Sequence, residues 1–226
     1  MMLNELINKY EKELKEILEA LNSCYFEELD DYNFDDDVVY TFKDKYKKPF
    51  KSANGATKGV LIFEDYGFVI KIPFIFCDGE EMNGATEGAD GWDYCSQEVA
   101  RYEMAKQNGF EDIFLETSFL DTVDGHPIYI QRYAEILNLI NSTEYSNNHC
   151  SSTDLDRSTV REIDNREDYD YLDSGWEADL FVKYGIQKYK NFKKYLKDNY
   201  IKDLRNSNIG YIGRNPVLVD YAGFDN

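Results

Sequence analysis

The sequence predicts an α+β fold built on an antiparallel sheet, and three features indicate it. Short apolar runs follow one another in neighbouring pairs, and each pair encloses residues typical of a β-hairpin turn. Longer stretches with helical periodicity stand before and between the pairs, so strands and helices do not alternate one by one. We therefore expect hairpin-joined strands with helices on one side of the sheet, and we find no internal repeat.

An amphipathic helix is expected over residues 2–22, which we treat as a segment of its own over residues 1–23. Apolar residues recur there at spacings of four and three, with Glu and Lys between them. They are Leu3, Ile7, Tyr10, Leu14, Ile17 and Leu21. We expect this stripe to pack on the rest of the protein. The alternative is a coiled coil with a second copy, for which the stripe is short.

The first hairpin is predicted between residues 59 and 72. An acidic stretch, residues 27–37, is expected to be a solvated loop, and Val38–Phe42 then reads as a strand. Gly59–Glu64 and Phe68–Ile72 are apolar runs on either side of a short turn that ends in Gly67. Because a hairpin makes antiparallel neighbours, these two runs should pair in one sheet.

The next helix has clear start and stop signals. Residues 77–91 are rich in Gly and acidic residues and are expected to form a loop. Asp93 is a good N-cap for a helix running to Asn108, and Gly109 stands at the usual left-handed C-terminal position.

A second hairpin and an insertion follow. Ile113–Leu120 and Pro127–Tyr133 enclose an Asp-Gly turn and are predicted to be strands. Residues 141–175 are polar, with few large aliphatic side chains. We interpret them as a long, mobile, acidic insertion.

The last part of the chain is predicted to hold a Lys-rich helix and a third hairpin. Trp176–Asn199 has a helical apolar side made of Leu180, Tyr184, Phe192, Tyr195 and Leu196. Ile209–Ile212 and Val217–Val219 are then joined by a turn that begins at Gly213.

Composition limits the classes of partner. The 226 residues carry a net charge of −19, and such a surface repels nucleic acids and anionic membranes. Basic partners would be attracted, although solubility alone also explains the charge. No signal peptide or apolar run of transmembrane length is evident, and four scattered cysteines form no CxxC pair. We therefore expect a cytoplasmic protein without structural zinc or disulfides.

Three polar residues near the C-terminus suggest phosphoryl-transfer chemistry. Asp203 is followed five residues later by Asn208, and Asp220 lies just past the predicted hairpin. Two carboxylates and an amide brought together in this way could hold magnesium and orient a hydroxyl group.

Two further residues belong to the same hypothesis. Lys71 lies midway along an apolar strand, where its ammonium must reach the sheet edge or meet an anion. An edge-strand Lys that prevents aggregation is the alternative. Glu98 lies on the next helix among apolar residues at helical spacing. An ordinary surface Glu is the alternative, and Glu103 is the other candidate if the helix register differs.

The order of these elements and residues resembles the protein-kinase-like fold, from about residue 38 to the C-terminus without the insertion. It looks most similar to small, divergent kinase-like proteins of phages and bacteria. The resemblance implies an N-lobe-like sheet with a helix C equivalent over residues 38–134. It also implies that Lys71 holds the α- and β-phosphates of ATP and that Glu98 pairs with Lys71.

The C-terminal residues are assigned by the same resemblance. Asp203 would accept the proton of the acceptor hydroxyl group, and Arg205 would contact the γ-phosphate. Asn208 and Asp220 would hold Mg²⁺, with Asp220 in an Asp-Tyr-Ala-Gly motif in place of Asp-Phe-Gly. The spacing from Asn208 to Asp220 leaves room for one hairpin, as in the family.

The nucleotide contacts follow the family less closely. Gly55 lies in a loop over residues 52–58 that could cover phosphates, but the full glycine pattern is missing and a plain hairpin turn fits equally well. The segment with Gln131 and Tyr133 is assigned to the adenine by analogy.

The sequence also departs from the family at its catalytic loop and C-terminus. Ile201 stands where kinases usually have His, and three residues follow Gly223. We therefore expect a truncated helical C-lobe over residues 176–226.

Two functions from different classes follow from these observations. The first is a minimal Mg²⁺-dependent phosphotransferase that uses ATP on an unknown protein or small-molecule acceptor. A small-molecule kinase of the aminoglycoside or choline type is a variant of it. The second is a catalytically inactive kinase-like scaffold, or pseudokinase, whose acidic surface binds or blocks a basic partner. In neither case do we expect direct binding to nucleic acid or membranes.

Overall fold

A computed structural model describes residues 2–75, 93–136, 174–201, 204 and 206–222. The chain divides into two units, residues 1–111 with 115–133, and residues 112–114 with 134–225. The described part is α+β, with an antiparallel sheet in each unit. The predicted loop 77–91 and all but the last two residues of the predicted insertion 141–175 lie outside the described residues.

A five-stranded antiparallel sheet forms the centre of the first unit. Its strands are β1 (Lys51–Asn54), β2 (Lys58–Phe63), β3 (Phe68–Pro73), β4 (Thr117–Val123) and β5 (His126–Arg132). Their order is β1-β2-β3-β5-β4. The hairpins expected around Gly67 and Gly125 are both confirmed. Gly67, Asp124 and Gly125 have φ values of 77°, 49° and 80°, as tight hairpin turns require.

One face of this sheet is apolar and is covered by the N-terminal helices. Successive side chains on a strand alternate between faces. The residues on this face are Leu61, Phe63, Phe68, Ile70, Ile72, Ile128 and Ile130. They share one core with residues of α1 (Leu3–Lys9), α2 (Glu11–Leu21) and α3 (Thr41–Lys45). The N-terminal stripe therefore packs on the protein, as expected.

The N-terminal segment differs from the prediction in two places. Tyr10, with φ −114° and ψ 27°, interrupts the expected single helix. Val38–Phe42 is not a strand, because Val38 lies in a π-helical turn, Asp35–Tyr40, that continues into α3. Phe34, Val38 and Phe42 are buried at a spacing of four, which is a helical period. The edge strand is instead β1, whose exposed residues give no apolar signal.

Helix α4 (Tyr94–Gln107) packs on the opposite face of the same sheet. The Asp93 carboxylate accepts hydrogen bonds from the backbone N–H groups of Cys95 and Ser96 at 2.8 and 3.0 Å. Gly109, with φ 77°, follows the helix, so the predicted start and stop are both confirmed. Helices thus cover both faces, and the expectation of helices on one side only is wrong for this unit. Both faces are covered at β3, where all six residues are buried.

The second unit combines a long helix with a three-stranded sheet. Helix α5 (Ser174–Asp198) is bent at Gly185, which has φ 78° and ψ 163°. The strands are β6 (Glu135–Ile136), β7 (Ile209–Ile212) and β8 (Asn215–Leu218), in the order β6-β7-β8. The hairpin predicted at Gly213 is confirmed.

An aromatic cluster holds this unit together. Phe114 meets the rings of Phe192 and Tyr195 on α5 and that of Tyr221 after β8, with centroid distances of 6.1, 5.8 and 5.0 Å. Buried aromatic contacts of this kind fix the end of β8 against the helix. Among the described helices, none is both long and apolar enough to cross a membrane.

Candidate functional site

Lys71 lies on an interior strand and reaches a carboxylate. It belongs to β3 and pairs with Val60 on β2 and Tyr129 on β5, so it is not an edge-strand lysine. Its buried ammonium donates to Glu98 Oε2 at 2.6 Å. The structure therefore brings together the two residues that the resemblance implies as a pair, one from a strand and one from helix α4.

Glu98 is the centre of a buried polar cluster. Its carboxylate accepts from Lys58 Nζ at 2.7 Å through Oε1, and from Lys71 Nζ and Thr117 Oγ1 at 2.6 and 2.8 Å through Oε2. Glu103, the other candidate, is exposed and lies 3.7 Å from Lys106. The inward position on α4 thus belongs to Glu98, as the helix register predicted.

Gln131 extends the cluster on the sheet. Its amide nitrogen donates to Thr117 Oγ1 at 2.8 Å and to the Leu115 carbonyl at 3.2 Å. Val69, Gln131 and Thr117 are direct neighbours on β3, β5 and β4, so their side chains share the face that α4 covers. Lys71, two residues after Val69, is on the same face.

The two residues assigned to adenine have other contacts in the described part of the chain. Gln131 lies within β5, paired on both sides, rather than in a linker. The Tyr133 backbone N–H donates to the Gly67 carbonyl at 2.8 Å, and its hydroxyl donates to Glu64 at 3.0 Å. Adenine binding by either residue stays a prediction.

Asp93 fixes the start of the helix that carries Glu98. Besides capping α4, its carboxylate accepts a hydrogen bond from the Tyr129 hydroxyl. Burial raises the pKa of Tyr129, and the bond to Asp93 raises it further, so this phenol stays a donor. Burial also raises the pKa of the Cys95 thiol well above its usual value, although the charges of Lys58 and Lys71 oppose this. Cys95 is therefore a packing residue and not a thiolate nucleophile.

The two glycines of the predicted phosphate loop have different environments. Gly55 lies in the exposed turn between β1 and β2, and a Cβ there would have no atom within 4 Å. A Cβ on Gly59 would lie 2.0 Å from the Phe34 ring, so packing alone requires glycine at that position. Only Gly55 remains a candidate for phosphate contact, and a plain turn explains it equally well.

Asn208 and Asp220 flank the same end of one hairpin in the second unit. Ile209 pairs with Leu218, and the Val219 N–H donates to the Asn208 carbonyl at 2.9 Å. Asp220 is the next residue after Val219, so the predicted metal ligands are brought to one end of β7 and β8. Asp203 and Arg205 lie outside the described residues.

The donor types at this hairpin end suit Mg²⁺, which prefers carboxylate and amide oxygens. The Asn208 side-chain oxygen accepts from Ser207 Oγ at 3.2 Å. Tyr221 and Ala222, directly after Asp220, are buried, and their packing holds the backbone of Asp220 in place. Within the described residues, no group of three or more His, Cys, Asp and Glu side chains is arranged to hold a metal ion. A magnesium ion here could take the Asp220 carboxylate and the Asn208 amide oxygen, with water completing its coordination.

Within the described part of the chain, sequence reasoning missed four buried polar residues, which are Lys58, Thr117, His126 and Asp179. Lys58 stands two residues before Val60, the partner of Lys71, so the two lysines share a face only through the register of β2 and β3. Thr117 gave no signal, because Thr is common in strands. Asp179 on α5 is buried and accepts from the Tyr211 hydroxyl at 2.9 Å.

Comparison of the chain with protein-family models, with curated proteins and with solved structures gave no match.

Proposed function

We propose that this chain is a minimal kinase-like protein that binds Mg-ATP and transfers a phosphoryl group to an acceptor. The observation that supports it best is the buried ion pair between Lys71 on β3 and Glu98 on α4. A lysine ammonium that is desolvated and oriented by a carboxylate is suited to hold phosphate oxygens.

Burial makes this pair more informative than an ordinary salt bridge. Buried charges are costly, and replacing them by apolar side chains is often neutral or stabilising. An ion pair buried between a sheet and a helix is therefore weak evidence for stability and stronger evidence for a function. The resemblance to kinase-like proteins implies the same pair.

The other residues complete the proposed chemistry. Asn208 and Asp220 would hold Mg²⁺, which when bound supplies positive charge to the phosphates. Asp203 would orient and deprotonate the acceptor hydroxyl group, and Arg205 would stabilise charge on the transferred phosphoryl group. Gly55 would let the backbone of the turn between β1 and β2 approach the phosphates.

Mg-ATP binding is tested by thermal unfolding. A ligand that binds only the folded state stabilises it by RT ln(1 + [L]/Kd), about 2.7 kcal/mol at one hundred times Kd. We expect Mg-ATP to raise the Tm of the wild type and the Asp198→Ala control, whose exposed carboxylate lies at the end of α5. Asp220→Ala should lose the shift. A wild type whose Tm does not respond to Mg-ATP would refute nucleotide binding.

Catalysis is tested separately with Asp203. If its carboxylate orients the acceptor, Asp203→Ala should bind Mg-ATP normally but transfer γ-phosphate at least about 100-fold more slowly. Transfer of ³²P from labelled ATP to a panel of proteins and small molecules measures this. An Asp203→Ala variant that is as fast as the wild type would remove the mechanism.

A second candidate function has its own observation. The segment 25–40 exposes Glu27, Glu28, Asp31, Asp35 and Asp36. It also exposes Tyr25, Tyr32 and Tyr40, with 55%, 90% and 69% of their surface accessible. Together with the net charge of −19, this favours a non-catalytic, pseudokinase-like scaffold that binds a basic protein partner.

The two functions differ in what binding requires. An acidic scaffold should capture its basic partner equally well as wild type, Lys71→Met or Asp220→Ala, and lose it steeply as salt rises. Pull-downs at two salt concentrations with and without Mg-ATP measure this. Capture that needs ATP and an intact Asp220 would contradict the scaffold hypothesis.

A further inference from the structure

We propose that Lys58 is a positioning residue, which holds Glu98 in place when Lys71 leaves that carboxylate for an anionic ligand. The identity of the ligand, the phosphates of Mg-ATP, rests on the function proposed above. The role of Lys58 towards Glu98 rests on the geometry of the cluster and is testable without any nucleotide.

The two oxygens of Glu98 have different donors. Oε1 accepts from Lys58 at 2.7 Å, whereas Oε2 accepts from Lys71 at 2.6 Å and from Thr117 at 2.8 Å. When Lys71 turns to a phosphate, Oε1 keeps its ammonium and Oε2 keeps its hydroxyl. The carboxylate therefore stays charged, hydrogen-bonded and in the same orientation.

This arrangement removes the usual cost of releasing a buried cation. A fully buried carboxylate that loses its single cation is left with an uncompensated charge, which is strongly unfavourable. A second ammonium on the other oxygen avoids that state. Lys71 can then exchange one anionic partner for another while Glu98 remains solvated by the protein.

Lys58 also links Glu98 to the turn between β1 and β2. The Gly55 N–H donates to the Lys58 carbonyl at 3.0 Å, and the Phe74 N–H donates to the Thr57 carbonyl at 2.9 Å. The backbone of Lys58 therefore closes the turn proposed to approach the phosphates, while its side chain reaches α4. One residue thus couples the position of the turn to that of Glu98.

The first experiment measures coupling in the absence of nucleotide. Urea midpoints are compared for wild type, Lys58→Met, Lys71→Met and the double variant. If either lysine alone keeps Glu98 compensated, the double variant should lose more than the sum of the two single shifts. A double variant that fails to fold while both single variants fold is the extreme form of this result.

Several outcomes would overturn the proposal. Additive midpoint shifts would show that the lysines act independently on Glu98. A Lys71→Met variant that fails to fold would show that Lys58 does not hold the carboxylate. A Lys58→Met variant that fails to fold would show a structural requirement for Lys58 even while Lys71 is present.

The second experiment asks whether Lys58 acts on ligand binding. Kd for Mg-ATP is measured by calorimetry at a temperature where each variant is fully folded. Lys58→Met should raise Kd about tenfold, because Lys71 must then stay with Glu98. Lys58→Arg, which keeps a cation for Oε1, should restore most of the affinity. A merely structural lysine would change the Tm and leave the Kd of the folded protein unaltered, and such a result would overturn the proposal.

The two proposals fail in different ways. If the wild type does not bind Mg-ATP, the proposed function fails, and the coupling measured without nucleotide alone decides the role of Lys58. If the wild type binds Mg-ATP but Lys58→Met binds it equally well, the proposed function stands and the role of Lys58 is refuted.

Discussion

Two Lys–Glu pairs in the first unit have the same length and opposite surroundings. Lys71 lies 2.6 Å from Glu98, with side chains 4% and 0% exposed. Lys48 also lies 2.6 Å from Glu16, but those side chains are 43% and 36% exposed. Water already solvates the second pair, whereas the first depends on the protein for all of its compensation. A short distance therefore identifies an ion pair. Its burial determines how much stability is lost when one partner is removed.

The largest effect expected from this comparison follows replacement of Glu98. Glu98→Gln removes the negative charge that Lys58 and Lys71 share, and leaves two buried ammonium groups. We expect a loss of about 3–5 kcal/mol in the free energy of unfolding, measured with urea. Glu103→Gln is the matched control, since Glu103 is exposed on the same helix, and it should change little. If Glu98→Gln is as stable as Glu103→Gln, burial of the Glu98 carboxylate does not make its ion pairs important for stability.

A smaller effect is expected for the neutral member of the buried cluster. Thr117→Val keeps the shape of the side chain but removes the hydroxyl that donates to Glu98 and accepts from Gln131. We expect a loss of about 1–3 kcal/mol in unfolding free energy. Thr117→Ser, which keeps the hydroxyl, should be closer to the wild type in the same urea measurement. If Val is tolerated better than Ser, the hydrogen bonds of Thr117 contribute less than its packing.

A buried titratable group on the other face of the sheet extends the comparison to pH. His126 Nε2 donates a hydrogen bond to the Pro73 carbonyl at 2.8 Å, and its ring stacks on Phe26. Burial lowers the pKa of His126, an effect that the Pro73 bond partly opposes. The folded state thus favours the neutral ring. The stability that this neutral ring contributes is complete above about pH 6.5, the pKa of His in the unfolded chain. It is lost as pH falls from there through the lowered pKa of the folded state.

Protonation of His126 should lower the free energy of unfolding by at most about 1.4 kcal/mol per pH unit, which is the value for one proton. This slope is measured as the unfolding free energy in urea between pH 7.5 and 5.5. His126→Gln, which does not titrate there, should reduce the slope. An unchanged slope in that variant would assign the pH dependence to other groups.

The sequence predicted elements with local signals better than those that depend on tertiary packing. The Asp93 cap, Gly109 and the turns at Gly67 and Gly125 are local, and their positions were correct. The strand predicted at Val38–Phe42 was wrong because β-branched and aromatic residues also fill a helical face when they recur every four residues. Strand β1 was missed because an exposed edge strand needs no apolar pattern.

In the candidate site, too, residues with a local sequence signal were predicted and residues that depend on tertiary structure were missed. The resemblance to kinase-like proteins pointed to Lys71 and Glu98, and the apolar residues around each of them supported a buried position. Lys58 and Thr117 reach the same carboxylate only through the register of β2, β3 and β4, which no single segment encodes. Long-range register is thus the part of the site that sequence reasoning could not supply.

The smallest expected effect belongs to the exposed pair. The Lys48 hydrogen bond lowers the pKa of Glu16, so any contribution is present above the usual Glu pKa and is lost as pH falls through the lowered value. Because water replaces either partner at this surface, Glu16→Gln and Lys48→Met should leave the urea midpoint almost unchanged at moderate salt. A small decrease should appear only at low salt, where screening is weak. Midpoints measured at two salt concentrations test this. A Glu16→Gln loss as large as that of Glu98→Gln, and independent of salt, would show that distance and not burial determines what a Lys–Glu pair contributes here.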